Sequence, residues 1–205
     1  MHREILTKEQ IEILPIIGKF SRSFGLVGGT AVAFQIGHRR SIDFDLFSFK
    51  KFQNVNIKKK ISATKFPIQK TIVSKDGEFT FMLNNVKITF FQFPYKIGFN
   101  KKFEDIVRMP DLLTLAAMKA FALGQRNKWK DYVDLCFIMD RYHGISPIIK
   151  KSKELFGAEF NEKLFRNQLA YFDDVNYSEE VEYLPGFEVS DEEVKKRLVE
   201  FSLAK

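Results

Sequence analysis

The sequence predicts a small α/β unit with a mixed sheet, followed by a helical region. Three observations carry this. Residues 24–47 read as strand, glycine turn, short helix and second strand. Residues 79–93 alternate apolar and polar at period two around Asn84-Asn85, the pattern of a hairpin. After Pro94 the alternation gives way to long runs at helical spacing. The α/β core is assigned to residues 1–98 and the helical region to 99–205. The two are expected to pack together and leave a cleft between them.

The elements follow in order. Thr7-Lys8-Glu9-Gln10 is a capping box opening a helix whose apolar face is Ile11, Leu14 and Ile17, with Pro15 bending or shortening it. Phe24 to Val27 reads as a buried strand and Thr30 to Gln35 as a short helix. Gly37 to Arg40 is a basic loop, and Ser41 to Phe47 a strand carrying two acids. Asn54 to Ala63 is a lysine-studded surface helix. Helices are predicted over 110–125, 130–142 and 147–156, and residues 179–205 read as a surface segment with a final helix.

Composition narrows the class. Hydrophobic residues make up 45% of the 205, and 23 are Phe, which argues for an aromatic core and against disorder. A net charge of +7 favours anionic partners: nucleotides, RNA or an acidic protein. The single Cys136 excludes an internal disulfide and suits a reducing compartment. No apolar run approaches membrane-spanning length, so the expectation is a soluble, cytoplasmic chain with no membrane partner.

The chemistry is concentrated between Leu26 and Phe47. Alternate strand residues share a face, so Asp43 and Asp45 point one way while Ile42, Phe44 and Leu46 point the other. Adjacent carboxylates repel unless a cation lies between them, and a divalent metal suits the place. The turn at Gly28, Gly29 and Thr30 offers backbone N–H groups at a helix start, where a triphosphate is favoured. Arg39 or Arg40 in the following loop is suited to clamp phosphate, and Ser41 to cap the loop or bond an aspartate. A phosphate cradle beside a metal pair is the layout of a nucleotidyl-transfer site.

Gly28-Gly29-Thr30 followed by Asp43-Phe44-Asp45 resembles the polymerase-β-like nucleotidyltransferase superfamily. Gly28-Gly29-Thr30-Ala31 with Gly37-His38-Arg39-Arg40-Ser41-Ile42-Asp43-Phe44-Asp45-Leu46-Phe47 is more closely similar to the AbiEii/AbiGii toxin family. So are the run from Asp111 to Arg126, the Lys130-Asp131-Tyr132-Val133-Asp134 stretch, and Tyr171-Phe172-Asp173-Asp174. The resemblance implies a polymerase-β-like core with a small mixed sheet and a C-terminal helical region. It also implies Mg²⁺ on Asp43 and Asp45, and an NTP whose nucleotidyl group passes to an acceptor hydroxyl. The favoured acceptor is a tRNA 3′ end, with a protein hydroxyl second. A separate antitoxin protein is implied as partner.

Lys119 interrupts an apolar helical run, and the resemblance implies that it contacts nucleotide phosphate. Arg126, seven residues on, is placed to converge with it. Asp131 is expected to orient Lys119 or Arg126, or to act as general base, while Lys130 and Asp134 have the spacing of a helical ion pair. One departure stands out. Thr89 occupies the strand position where many relatives of the superfamily carry a third carboxylate, so the alternative is a catalytically weak or inactive nucleotide- or partner-binding module.

Overall fold

A computed structural model describes residues 1–204, which divide into two compact units, one of Met1–Asp111 and one from Leu112 onward. In the first unit, α1 (Lys8–Gly18) opens with the predicted capping box. Thr7 Oγ1 accepts from Gln10 N, and Gln10 Oε1 accepts from Thr7 N at 3.0 Å. Its buried face is Gln10, Ile13, Leu14, Ile16 and Ile17, whereas Ile11 is exposed; Pro15 lies inside the helix without ending it.

The sheet has strand order β1 (Gly25–Val27), β2 (Phe44–Ser48), β5 (Val86–Gln92), β4 (Glu78–Leu83), β3 (Ile68–Lys75). β2 runs parallel to β5, and the other three pairings are antiparallel, so the sheet is mixed. Helix α2 (Gly28–Ile36) connects β1 to β2, and α3 (Asn54–Ser62) precedes β3. Asn84 and Asn85 both take positive φ, the signature of a tight hairpin between β4 and β5. β6 (Lys101–Phe103) and β7 (Val107–Met109) form a separate two-stranded ribbon. The sequence division at residue 98 differs from the contact division after Asp111, because this ribbon belongs with the first unit.

One sheet face is the core. Phe44, Leu46, Phe79, Phe81, Ile88 and Phe90 are at most 1% exposed, and each contributes about 1.5–3 kcal/mol by burial. Phe20 and Phe24 meet Phe90 edge-on at 4.8 and 4.9 Å between centroids. The acid-bearing strand is shorter than read from sequence. It starts at Phe44, so Asp43 precedes the ladder and Ile42, expected on the apolar face, is 55% exposed.

The second unit contains α4 (Leu112–Leu123), α5 (Trp129–Arg141), α6 (Ile145–Phe156), α7 (Glu162–Leu169) and α8 (Asp191–Leu203). α7, β3 and the β6–β7 ribbon are elements that the sequence reading did not assign.

Candidate active site

Two groups of charged residues assemble, one in each unit. The first is built by the passage from β1 into α2. Val27 pairs with Asp45 across the antiparallel ladder, and the helix begins at the next residue. Gly28 has φ +69°, a left-handed conformation that L side chains resist. A Cβ at Gly28 would overlap Asp45 Oδ2, so glycine lets the helix start against the carboxylate. A Cβ at Gly29 would lie 2.5 Å from Arg39 Nη2 and 3.3 Å from Ser41 Oγ. The bare backbone of both glycines is therefore bordered by Asp45, Arg39 and Ser41. First-turn N–H groups have no intrahelical acceptor, and the helix dipole makes this end favourable for an anion.

The loop from 37 to 43 is not the open surface turn that its polarity suggests. His38 is 0% exposed and Arg39 2%. Arg39 Nη1 donates to Arg40 O at 2.8 Å, and Arg40 Nη1 donates to Glu4 O at 3.2 Å. Thr30 is buried too: its hydroxyl bonds the Asp43 carbonyl and lies 2.8 Å from Ser41 Oγ. The structure thus uses Thr30 and Ser41 to lock the loop onto α2. Gln10 adds a third tie, its Nε2 donating to Ser41 O at 2.8 Å from a fully buried position.

Across the parallel ladder, Asp45 is in register with Thr89, and Thr80 follows on β4. Thr80 Oγ1 lies 3.4 Å from Thr89 Oγ1. Two residues before Thr89, Lys87 Nζ meets Asp43 Oδ2 at 2.5 Å. Both side chains of that pair are about one-third exposed (36% and 29%), so the contact is open to exchange with solvent or a competing cation.

The second group contrasts with this. Lys119 on α4 contacts Asp131 Oδ1 at 2.6 Å and Asp134 Oδ2 at 2.7 Å, with all three side chains no more than 6% exposed. Arg126 Nε reaches the other Asp131 oxygen at 3.0 Å. The helical i, i+7 argument does not place Arg126, since α4 ends at Leu123; the two cations meet instead on Asp131. The predicted Lys130–Asp134 pair is replaced: Asp134 faces the interior with Lys119, and Lys130 lies 3.6 Å from Glu179. Burial pushes the Asp131 pKa up, but Lys119 and Arg126 outweigh it and the net shift is downward. A carboxylate so held is a poor proton acceptor and a good positioning group.

Residues 17–198 match the family model described as nucleotidyl transferase AbiEii toxin, type IV toxin–antitoxin system. The chain belongs to this family. It is a nucleotidyltransferase of the AbiEii toxin type, with the mixed α/β core that the sequence predicted. It is 30% identical over 207 residues to an uncharacterized protein of Aquifex aeolicus (strain VF5), covering 96% of this chain and 97% of that one. Two solved structures share the fold. JHP933 from Helicobacter pylori has TM-score 0.57 at 18% identity, over 96% of this chain and 91% of that one. MenT4, a nucleotidyltransferase toxin from Mycobacterium tuberculosis H37Rv, has TM-score 0.62 at 10% identity, over 95% and 82%.

For an AbiEii chain the carboxylate pair bears on metal use. Among the described residues no group of three His, Cys, Asp or Glu side chains gathers as a metal site. Two hard oxygen donors two residues apart nevertheless suit Mg²⁺, which takes one or two carboxylates and completes its shell with water and substrate phosphate. Cys136 is no rival nucleophile, because burial pushes its thiol up to about 12. Sequence reasoning missed Lys87 and the second role of Gln10, and it gave Asp134 the wrong partner. Period-two alternation puts Lys87 and Thr89 on one face, but only the β2–β5 register brings that face to Asp43.

Proposed function

We propose that this chain transfers a nucleotidyl group from a nucleoside triphosphate to a hydroxyl at the 3′ end of a tRNA, at the site formed by Gly28, Gly29, Asp43 and Asp45. The observation carrying this is the start of α2 against Asp45. Only glycine fits at Gly28, so backbone donors and a carboxylate share one small region. The triphosphate lies along the helix start, where Gly28 and Gly29 leave the backbone accessible and Arg39 borders it. Thr30, Ser41 and Arg40 fix the loop that carries Asp43 and Asp45.

The acceptor hydroxyl attacks the α-phosphate in line. A P–O bond to the acceptor forms, the α–β bridging P–O bond breaks, pyrophosphate leaves with that electron pair, and the hydroxyl proton passes to water. Asp43 and Asp45 would hold Mg²⁺, which supplies charge neutralisation for the triphosphate and its leaving group. Asp43 exchanges its Lys87 contact for that role. In the second unit, Asp134 holds Lys119, Lys119 holds Asp131, and Asp131 holds Arg126 by Nε. Arg126 is more than half exposed at its side chain, which leaves its outer guanidinium edge for phosphate. Lys119 is only 6% exposed at its side chain, so the phosphate contact assigned to it requires the buried cluster to open. The chain acts in the cytoplasm and is restrained by a separate antitoxin. No helix among the described residues is long and apolar enough to cross a membrane, which fits that setting.

A second reading is a nucleotide-binding module of low activity, favoured by Thr89 standing beside Asp45 where a third acid would take the proton. Incubation of the protein with Mg²⁺, each α-labelled NTP and total tRNA separates the two. Label on tRNA that is lost in Asp43→Asn/Asp45→Asn supports transfer. Label on protein alone overturns the tRNA acceptor, and nucleotide binding without label anywhere favours the module.

A further inference from the structure

The positive charge of this chain is not spread evenly. Between Leu46 and Lys75 there are eight lysines, at 50, 51, 58, 59, 60, 65, 70 and 75, and no Asp or Glu. The other 175 residues carry 25 Lys and Arg against 26 Asp and Glu, so this one segment accounts for the whole net charge of +7. All eight lysines are exposed. Only Lys75 meets a carboxylate among the described residues, Glu78 at 2.9 Å.

The segment is folded, not a tail. It contains α3, anchored by buried Ile57 and Ile61, and the edge strand β3, with α3 packed beside β3. Eight strand residues extend about 26 Å, enough to lie along several consecutive phosphates of one nucleic-acid strand. Phe49 stands 56% exposed among these lysines, a face on which a base can stack. Lysines on an edge strand also guard against strand-to-strand association, which accounts for Lys70 and Lys75. It does not account for Lys50, Lys51 and the three on α3.

Register ties the strand part of the patch to the carboxylates, while α3 flanks it from the other sheet face, where Lys58 lies over Phe79. Lys70 pairs with Met82 on β4, Met82 pairs with Lys87 on β5, and Lys87 contacts Asp43. These residues form one row on one sheet face, three strand spacings or about 14 Å from the edge to the site. A protein partner is the poorer fit. Protein interfaces are depleted in lysine and enriched in Arg, Tyr and Trp, and this segment contains none of those three.

We propose that the α3–β3 surface is the docking site for the phosphate backbone of the acceptor RNA. This rests on the RNA-acceptor reading above and assigns that RNA its path across the sheet.

The test measures anisotropy of a fluorescent RNA hairpin with an unpaired 3′ end, over a range of KCl. The full-length protein is compared with Lys50→Gln/Lys51→Gln/Lys59→Gln/Lys70→Gln and with a control of equal charge change, Lys8→Gln/Lys96→Gln/Lys163→Gln/Lys196→Gln. All eight substituted lysines are exposed, and thermal unfolding checks that both variants fold. The patch variant is expected to bind about tenfold or more weakly, with the slope of log K against log salt smaller by about three. The control is expected to match wild type. Equal weakening in both variants overturns the proposal, since the RNA then reads only net charge. So does displacement of the RNA by polyglutamate as effective as by unlabelled RNA. Label transfer to RNA with binding undiminished in the patch variant sinks this surface and leaves the acceptor reading standing. Patch-dependent binding without any transfer to RNA does the reverse.

Discussion

The two charged clusters of this protein differ in what their burial permits. Lys119, Asp131 and Asp134 are sealed from solvent, each carboxylate is engaged, and the group is neutral once Arg126 is counted. Asp43 and Asp45 lie half-buried at a helix start, and Asp43 contacts Lys87, a lysine itself one-third exposed. A saturated buried cluster holds structure, because removing one member leaves another's charge uncompensated. A partly open one can exchange its partner for a ligand. Family membership alone does not make this distinction; solvent access and hydrogen-bond saturation do.

The contrast is sharpest under substitution. Asp45→Asn should leave folding intact and lower nucleotidyl transfer on the order of 10³-fold, the several kcal/mol that a bound metal contributes. Transfer rates beside a urea titration check this, and a variant that unfolds while wild-type-like molecules keep their rate would erase the distinction. Lys119→Met should act the opposite way, costing about 3–5 kcal/mol of stability by removing the buried cation that Asp131 and Asp134 share. A urea midpoint unchanged from wild type would contradict that.

Gly28→Ala blurs the line by design. Its positive φ and the overlap with Asp45 predict a loss of about 1–3 kcal/mol, together with weaker NTP binding. Full NTP affinity in a folded Gly28→Ala protein would remove the helix start from the site. The pH dependence is a gentler probe. The folded-state pKa of Asp131 is depressed, so its stabilisation is present above the unfolded value near 3.8 and is lost as pH falls through the folded value. Wild type should therefore lose stability more steeply than Asp131→Asn in strong acid, and parallel curves would count against a charged Asp131. Arg126→Gln should shift stability by less than about 1 kcal/mol, since the pair is exposed on the arginine side, while raising the KM for NTP. A KM equal to wild type would leave Arg126 with only a structural part.

What the sequence disclosed follows the range of each signal. The capping box, the glycine turn, the spacing to Asp43 and Asp45 and the Asn84-Asn85 hairpin are local, and all are present in the fold. Strand pairing is not local. Nothing in residues 44–48 announces that they lie parallel to 86–92, so the Lys87–Asp43 contact could not be read. β3 escaped because it is exposed along most of its length, which leaves no clean alternation to detect. Arg39 resembles a surface residue by type, and its burial depends on the space left bare by Gly29. Asp134 was paired with the wrong lysine, since helical spacing names neighbours on one helix and not across two.

The most direct measurement of the division of labour is Mn²⁺ binding, followed by electron paramagnetic resonance, to the full chain with a non-hydrolysable NTP analogue. Wild type and Asp131→Asn should bind the ion with similar affinity, whereas Asp43→Asn/Asp45→Asn should lose it while remaining folded. Retention in the double variant with loss in Asp131→Asn would place the metal chemistry in the wrong unit and contradict the account.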